Sequence, residues 1–161
     1  MMTRAIVIDA AGFFSGYVLL FPHDRVFTVK EVVEEIKDPM SRAIYENAAS
    51  AGKISVLEPS ISGIRKAIDA ATEEGITDAL SEADKKLLAL ALDLADKGYE
   101  VLLITDDSYL HRLARKLGIK TKGVRRPVPR FFKPRLYICR VCGYRSMKRI
   151  EACPQCGSKI Y

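Results

Sequence analysis

All four cysteines of this 161-residue chain lie in its last 23 residues, as Cys139-x2-Cys142-x10-Cys153-x2-Cys156. Each CxxC pair is followed by glycine, Gly143 and Gly157. A two-residue gap lets both thiolates of one tight turn reach the same ion, and glycine lets the turn close with positive φ. Two such knuckles predict a tetrahedral zinc site of Cys139, Cys142, Cys153 and Cys156. About 25 residues bury too little surface to fold alone, so the metal supplies the folding energy of this segment. Two structural disulfides or an iron site are the alternatives. A chain without a secretory leader is expected in a reducing compartment, which argues against disulfides. Spacing alone does not separate zinc from iron.

The rest of the chain is long enough for one domain of about 120 residues. Its longest strongly apolar stretch, residues 16–21, is far short of a membrane span, so no membrane partner and a cytoplasmic location are expected. Charge is divided along the chain. From Arg112 onward there are 15 Lys/Arg against the single acid Glu151, a net of +14. The first 111 residues hold the other 11 Lys/Arg against 19 Asp/Glu, a net of −8. An acidic body with a basic C-terminal region points to a polyanionic partner held by that region. Arg125, Arg126, Arg130, Lys133 and Arg135 line a proline-rich stretch, and Arg140, Arg145, Lys148 and Arg149 decorate the cysteine segment. Arg112, Arg115 and Lys116 fall near one helical face. Phe131, Phe132, Tyr137 and Tyr144 interleave with these cations and are candidates to stack on unpaired bases. For Tyr137 and Tyr144, packing against the small metal core is the competing reading. Tyr144 joins the cations in the RNA-binding set.

Strand and helix patterns alternate. Residues 5–9 (AIVID) and 101–105 (VLLIT) read as buried parallel strands, with further strands at 53–57 and 119–124. Thr28-x-x-Glu31 reads as a capping box opening a helix to about residue 37. Other helices are expected over 40–51, 62–74, 82–97 and 108–117, the fourth opened by a second capping box, Ser81-x-x-Asp84. The expected fold is a three-layer α/β/α domain with a mainly parallel sheet over 1–124. A Pro/Arg-rich linker (125–136) and a zinc ribbon (137–161) follow.

Asp9 closes the first buried strand, and Asp106 and Asp107 close the second. Ligands of open parallel sheets bind outside the carboxyl ends of the strands. Carboxylates crowded there repel one another unless a cation neutralises them, and hard oxygen donors suit Mg²⁺ or Mn²⁺. Each Asp alone also reads as an ordinary helix cap. Periodicity places Glu35 on the flank of the apolar stripe, with Glu31 and Glu34 toward solvent. Asp84 shares a face with Leu87, Leu88 and Ala91. His23 and His111, away from strand ends, are expected at the surface.

The order of these residues resembles the PIN-domain nuclease family over about residues 3–124. The match runs from a strand ending in Asp9 to VVEEI containing Glu35, LSEAD containing Asp84, and ITDD containing Asp106 and Asp107. The resemblance implies a three-layer α/β/α fold and an acidic cluster of Asp9, Glu35, Asp84 and Asp106, with Asp107 a fifth candidate. That cluster would bind Mg²⁺ or Mn²⁺ for phosphodiester hydrolysis, with Asp9, Asp84, Asp106 and Asp107 as ligands. Ala10 departs from the family, where Thr or Ser is frequent. A PIN-like body followed by a basic linker and a four-cysteine ribbon is similar to one branch of the family. Its members form the mature 3′ end of small-subunit ribosomal RNA. The implied partners are that RNA or the pre-ribosomal particle, together with assembly-factor proteins. A non-catalytic RNA-binding assembly factor and a toxin-type ribonuclease are the alternative functions.

Overall fold

A computed structural model describes residues 3–125, 137–146 and 150–160. Five parallel strands form one sheet: β1 (Arg4–Ile8), β2 (Arg25–Thr28), β3 (Ile54–Val56), β4 (Glu100–Ile104) and β5 (Lys120–Lys122). Their order is β3-β2-β1-β4-β5, and every pairing is parallel. The chain leaves β1 toward β2 and β3, then returns across the sheet to β4 and β5. The strand order therefore reverses between β1 and β4, the switch point where open α/β sheets bind ligands.

The helices are α1 (Lys30–Glu35), α2 (Pro39–Ser50), α3 (Ile61–Glu73), α4 (Glu82–Asp96) and α5 (Ser108–Lys116). Helix α4 packs on β1 and β4 and also touches α1, α3 and α5. Its unbroken buried run from Leu87 to Leu92 follows from that central position, because apolar side chains are needed on nearly every face. It precedes β4 and runs back along the sheet, so its N-terminus, with Asp84, lies at the same rim as the ends of β1 and β4. Among the described residues no helix is long and apolar enough to cross a membrane.

Two features differ from the sequence pattern. Residues Ala10–Leu20 form a 3-10 segment and Arg25–Thr28 a strand, neither of which apolar periodicity announced. The expected capping box at Thr28 and Glu31 does not form. Thr28 ends β2, and its buried hydroxyl donates to the Ile8 carbonyl at 2.8 Å, joining two central strands. The N-cap of α1 is Val29, with no side-chain cap. Glu31 turns inward rather than to solvent and pairs with Lys86 of α4, which also holds Glu58.

The C-terminal segment forms a second, two-stranded antiparallel sheet, β6 (Tyr137–Ile138) with β7 (Arg145–Ser146), plus a bridge between Ala152 and Lys159. Its core is Cys139, Cys153 and Ile160, with Tyr137, Tyr144 and Ile150 packed against it. Thr28→Val keeps the shape of the buried side chain but loses its hydrogen bond. It should cost about 1–2 kcal/mol of stability, read by denaturant unfolding. An unchanged unfolding midpoint would show that the bond contributes nothing net.

Candidate active site and metal centre

Sheet and helix geometry bring the predicted acids to one rim. Asp9 follows β1, continues the ladder through its N–H to the Ile104 carbonyl (3.1 Å), and caps the 3-10 segment by accepting from the Ala11 N–H at 2.9 Å. Asp107 is the N-cap of α5 and accepts from the Leu110 N–H at 2.8 Å. Asp84 completes the capping box of α4. Its Oδ2 accepts from the Ser81 N–H (2.9 Å), while its own N–H donates to the Ser81 hydroxyl (3.1 Å). Asp106 accepts from the Val124 N–H at 2.7 Å and from the Arg125 N–H, tying the exit of β5 to the end of β4. Capping and a place at this rim thus coincide in the same side chains. A cap engages one carboxylate oxygen each of Asp84 and Asp107, while Asp9 is held by both the Ala11 N–H and the Thr105 hydroxyl.

Electrostatics shows which acids feel one another. Burial pushes Asp9 up to about 7, opposed by the Thr105 hydroxyl and the Ala11 N–H and reinforced by the charges of Asp84 and Asp106. Burial also raises Asp107, with Asp84 adding to it. Glu35, the exposed last residue of α1, is raised by partial burial and by Asp84. Asp84 is therefore the charge common to Asp9, Glu35 and Asp107. Such mutual repulsion is the condition a cation relieves, and an all-oxygen donor set fits Mg²⁺ or Mn²⁺. The carboxylates frame this position without converging on it. Among the described residues only the cysteines form a group of three or more donors all within 4.8 Å of one another.

Thr105 directly follows β4. It is fully buried between the two acid positions, beside Asp9 and accepting from the Asp107 N–H at 3.1 Å. It stands where Ala10 offers no hydroxyl. His111 is a correction: it is 3% exposed, on the inner face of α5, and burial lowers its pKa. Apolar neighbours at Leu110, Leu113 and Ala114 carry it inward. His23 is exposed as expected.

The cysteines form two matching knuckles. In each, the first Cys N–H donates to the carbonyl five residues on (Tyr144, 2.8 Å; Ser158, 2.7 Å). The glycine N–H in turn donates back to that Cys carbonyl (2.9 and 2.8 Å). Gly143 and Gly157 take φ of 75° and 73°, as the turn requires. Cys139 and Cys156 lie 3.5 Å apart at sulfur, as do Cys142 and Cys153. That is far from the ~2.05 Å of a disulfide. It is close to the roughly 3.8 Å edge of a tetrahedron with ~2.3 Å metal–sulfur bonds. The Ser158 hydroxyl reaches both Cys139 (3.1 Å) and Cys156 (2.9 Å) and lowers the pKa of each thiol, which favours the thiolate a metal needs. The four thiols thus fit a zinc ribbon.

Of the predicted RNA-contacting residues, Arg140 and Arg145 are exposed and Tyr144 is half-buried against the ribbon core. Arg125 stacks on Phe14 at 4.4 Å from the ring centre. Arg126, Arg130, Phe131, Phe132, Lys133, Arg135, Lys148 and Arg149 lie outside the described residues.

Residues 6–94 match the PIN domain of ribonuclease. The chain is 34% identical over 162 residues to Endoribonuclease Nob1 of Pyrococcus abyssi, covering 99% of this chain and 94% of that protein. It is 36% identical over 156 residues to Endoribonuclease Nob1 of Archaeoglobus fulgidus (95% and 87%). Ribonuclease VapC3 of Aeropyrum pernix is 42% identical over 116 residues (72% and 83%). The chain belongs to the PIN-domain ribonucleases and, among them, to the Nob1 endoribonucleases.

The raised pKa of Asp9 has a defined sign. Between the ordinary 3.8 and about 7 the folded protein holds a proton that the unfolded chain has lost, so rising pH through that window destabilises the fold. Asn carries no such charge. Without added divalent cation, Asp9→Asn should therefore melt above the wild type at about pH 8, with the gap closing toward about pH 4. A gap of the same size at both pH values would refute the shift.

Proposed function

We propose that this chain is a metal-dependent endoribonuclease that cleaves precursor small-subunit ribosomal RNA at its 3′ end, inside the pre-ribosomal particle or on the free RNA. In this reading residues 1–124 are the nuclease body, 125–136 a linker and 137–161 a zinc ribbon. The observation that carries it is Asp84, held by its capping box at the rim where its charge reaches Asp9, Glu35 and Asp107. Support for the substrate comes from the Nob1 relatives, matched over nearly the whole chain, and from the basic C-terminal region.

Bound among these carboxylates, Mg²⁺ or Mn²⁺ would acidify an attacking water and offset charge on the phosphate. The protein's own part is orientation. The Ala11 N–H and the Thr105 hydroxyl hold Asp9, whose proton affinity burial raises in the absence of positive charge. Ser81 fixes Asp84, and the Glu31–Lys86–Glu58 ion pairs hold α1 against α4 so that Glu35 stays at the same rim. The Val124 and Arg125 N–H groups hold Asp106. The expected products are a 3′-hydroxyl and a 5′-phosphate. Because an acidic rim repels RNA, affinity resides in the basic region. Zinc in the ribbon serves folding rather than hydrolysis.

Asp84→Asn keeps an amide oxygen for the Ser81 N–H but loses the charge. Cleavage of RNA spanning the small-subunit 3′ end should fall by on the order of 10²–10⁴-fold while binding persists, since several kcal/mol of metal-derived stabilisation are lost. Equal cutting by variant and wild type would exclude the acid rim as the active site. Stripping zinc with a chelator should open residues 137–160 to protease while 3–122 stay protected, as expected where metal supplies the folding energy. Equal protection of both segments would show a ribbon that folds without metal.

A further inference from the structure

The basic surface of the α/β body is not uniform. Arg112 and Lys116, on the face of α5 expected to attract RNA, are already neutralised. Arg112 pairs with Glu74 at 3.0 Å, and Lys116 pairs with Glu74 and Glu73. The side chains of Arg115, in the same helix, and Lys122, in β5, make no ion pair or hydrogen bond among the described residues. Both line a recess of about 650 Å³ at the open edge of β5, together with Arg4 and Lys120, and no carboxylate lines it. Lys120 pairs with Glu100 (2.7 Å) and Arg4 approaches Asp24 at 4.0 Å. Lys120 and Glu100 are 72% and 49% exposed, a surface pair of the kind that contributes little and yields to a better anion, whereas the Glu74 shared by Arg112 and Lys116 is only 17% exposed.

The backbone adds a donor. The Lys122 carbonyl accepts from the Thr105 N–H, so Lys122 faces β4 and the alternation of a strand turns the Thr121 N–H outward to the recess. Lysines on an edge strand are otherwise accounted for by protection against edge-to-edge pairing. That does not account for Arg115, which comes from a helix, or for Arg4, which comes from β1. The Lys122 end of the recess points toward the acid rim, while Arg4, which opens β1, and Arg115, near the C-terminus of α5, line its far end. Two residues beyond Lys122 the chain reaches Val124, whose N–H is held by Asp106. At ~3.3 Å per residue of strand, Lys120 to Lys122 lie on the order of 10 Å from the rim, a span of a few linked phosphates.

We propose that this recess is a phosphate-backbone subsite. Arg115, Lys122, Lys120 and the Thr121 N–H hold single-stranded RNA next to the stretch presented to the carboxylates. This rests on the reading of the chain as acting on RNA, and it assigns part of the grip to the α/β body rather than to residues 125–161 alone.

The test is equilibrium binding of the full-length protein to a labelled oligouridylate across a range of salt. The double variant Arg115→Ala/Lys122→Ala is compared with Arg112→Ala/Lys116→Ala. Losing two phosphate contacts should make the slope of log affinity against log salt shallower by about 1.4, from about 0.7 per contact on a single strand. The second pair, already neutralised by Glu73 and Glu74, should leave the slope at the wild-type value. Arg115→Lys/Lys122→Arg should retain the wild-type slope. Unchanged slope in the first variant, or equal loss in both alanine variants, overturns the subsite. So does a wild type that does not bind oligouridylate. A protein that binds with this pattern yet does not cut the small-subunit precursor instead defeats the assignment of substrate and leaves the subsite standing.

Discussion

Repulsion among carboxylates at one end of a parallel sheet is the constraint around which this molecule is arranged. The charge of Asp84 raises the proton affinity of Asp9, Asp107 and Glu35, and that of Asp106 adds to it at Asp9. Left to water these side chains would separate. The fold holds them by giving each Asp a backbone duty: Asp9 caps a 3-10 segment, Asp84 and Asp107 cap helices, and Asp106 closes the turn after β5. Every cap adds stability of its own, typically about 1 kcal/mol, so the positioning of the acids is tied to the integrity of the elements that carry them.

Helix α4 is the mechanical centre of that arrangement. Its apolar residues let it lie on β1 and β4 with α1, α3 and α5 around it. Lys86, two residues from Asp84, binds Glu31 and Glu58 and so ties α1 and the loop before α3 to the same helix. The buried hydroxyls of Thr28 and Thr105 do similar work within the sheet, one joining β2 to β1 and one lying between Asp9 and Asp107. Both are satisfied by local partners, as buried polar groups must be.

The ribbon solves a different problem. Its core is two cysteines and one isoleucine with three half-buried neighbours, too little apolar surface to fold by burial. Two knuckles of matching hydrogen-bond pattern bring four sulfurs together, and Ser158 adds a hydroxyl to two of them. Tyr144 packs on this core, and the same packing accounts for its place in the sequence.

Much of this was legible in the chain itself. The CxxC spacing determined the ribbon, because two thiolates in one turn have few other uses. The β-branched runs ending in Asp9 and Thr105 determined the central strands, and Ser81-x-x-Asp84 determined the start of α4. Local signals carry such information because each depends on residues a few positions apart. The tertiary structure alone decided what depends on residues far apart. Thr28 bonds Ile8 rather than capping a helix, Glu31 turns toward Lys86, and His111 is buried by the packing of α5. Arg112 and Lys116 are neutralised by Glu73 and Glu74, while the Arg115 side chain has no ion-pair partner among the described residues. Strand β2 was hidden for the same reason: four residues carry too short a pattern, and it is a strand because β1 and β3 lie on either side of it. Periodicity tells which side of an element is apolar. Only the folded chain supplies the partner that turns a charge inward or leaves it to solvent.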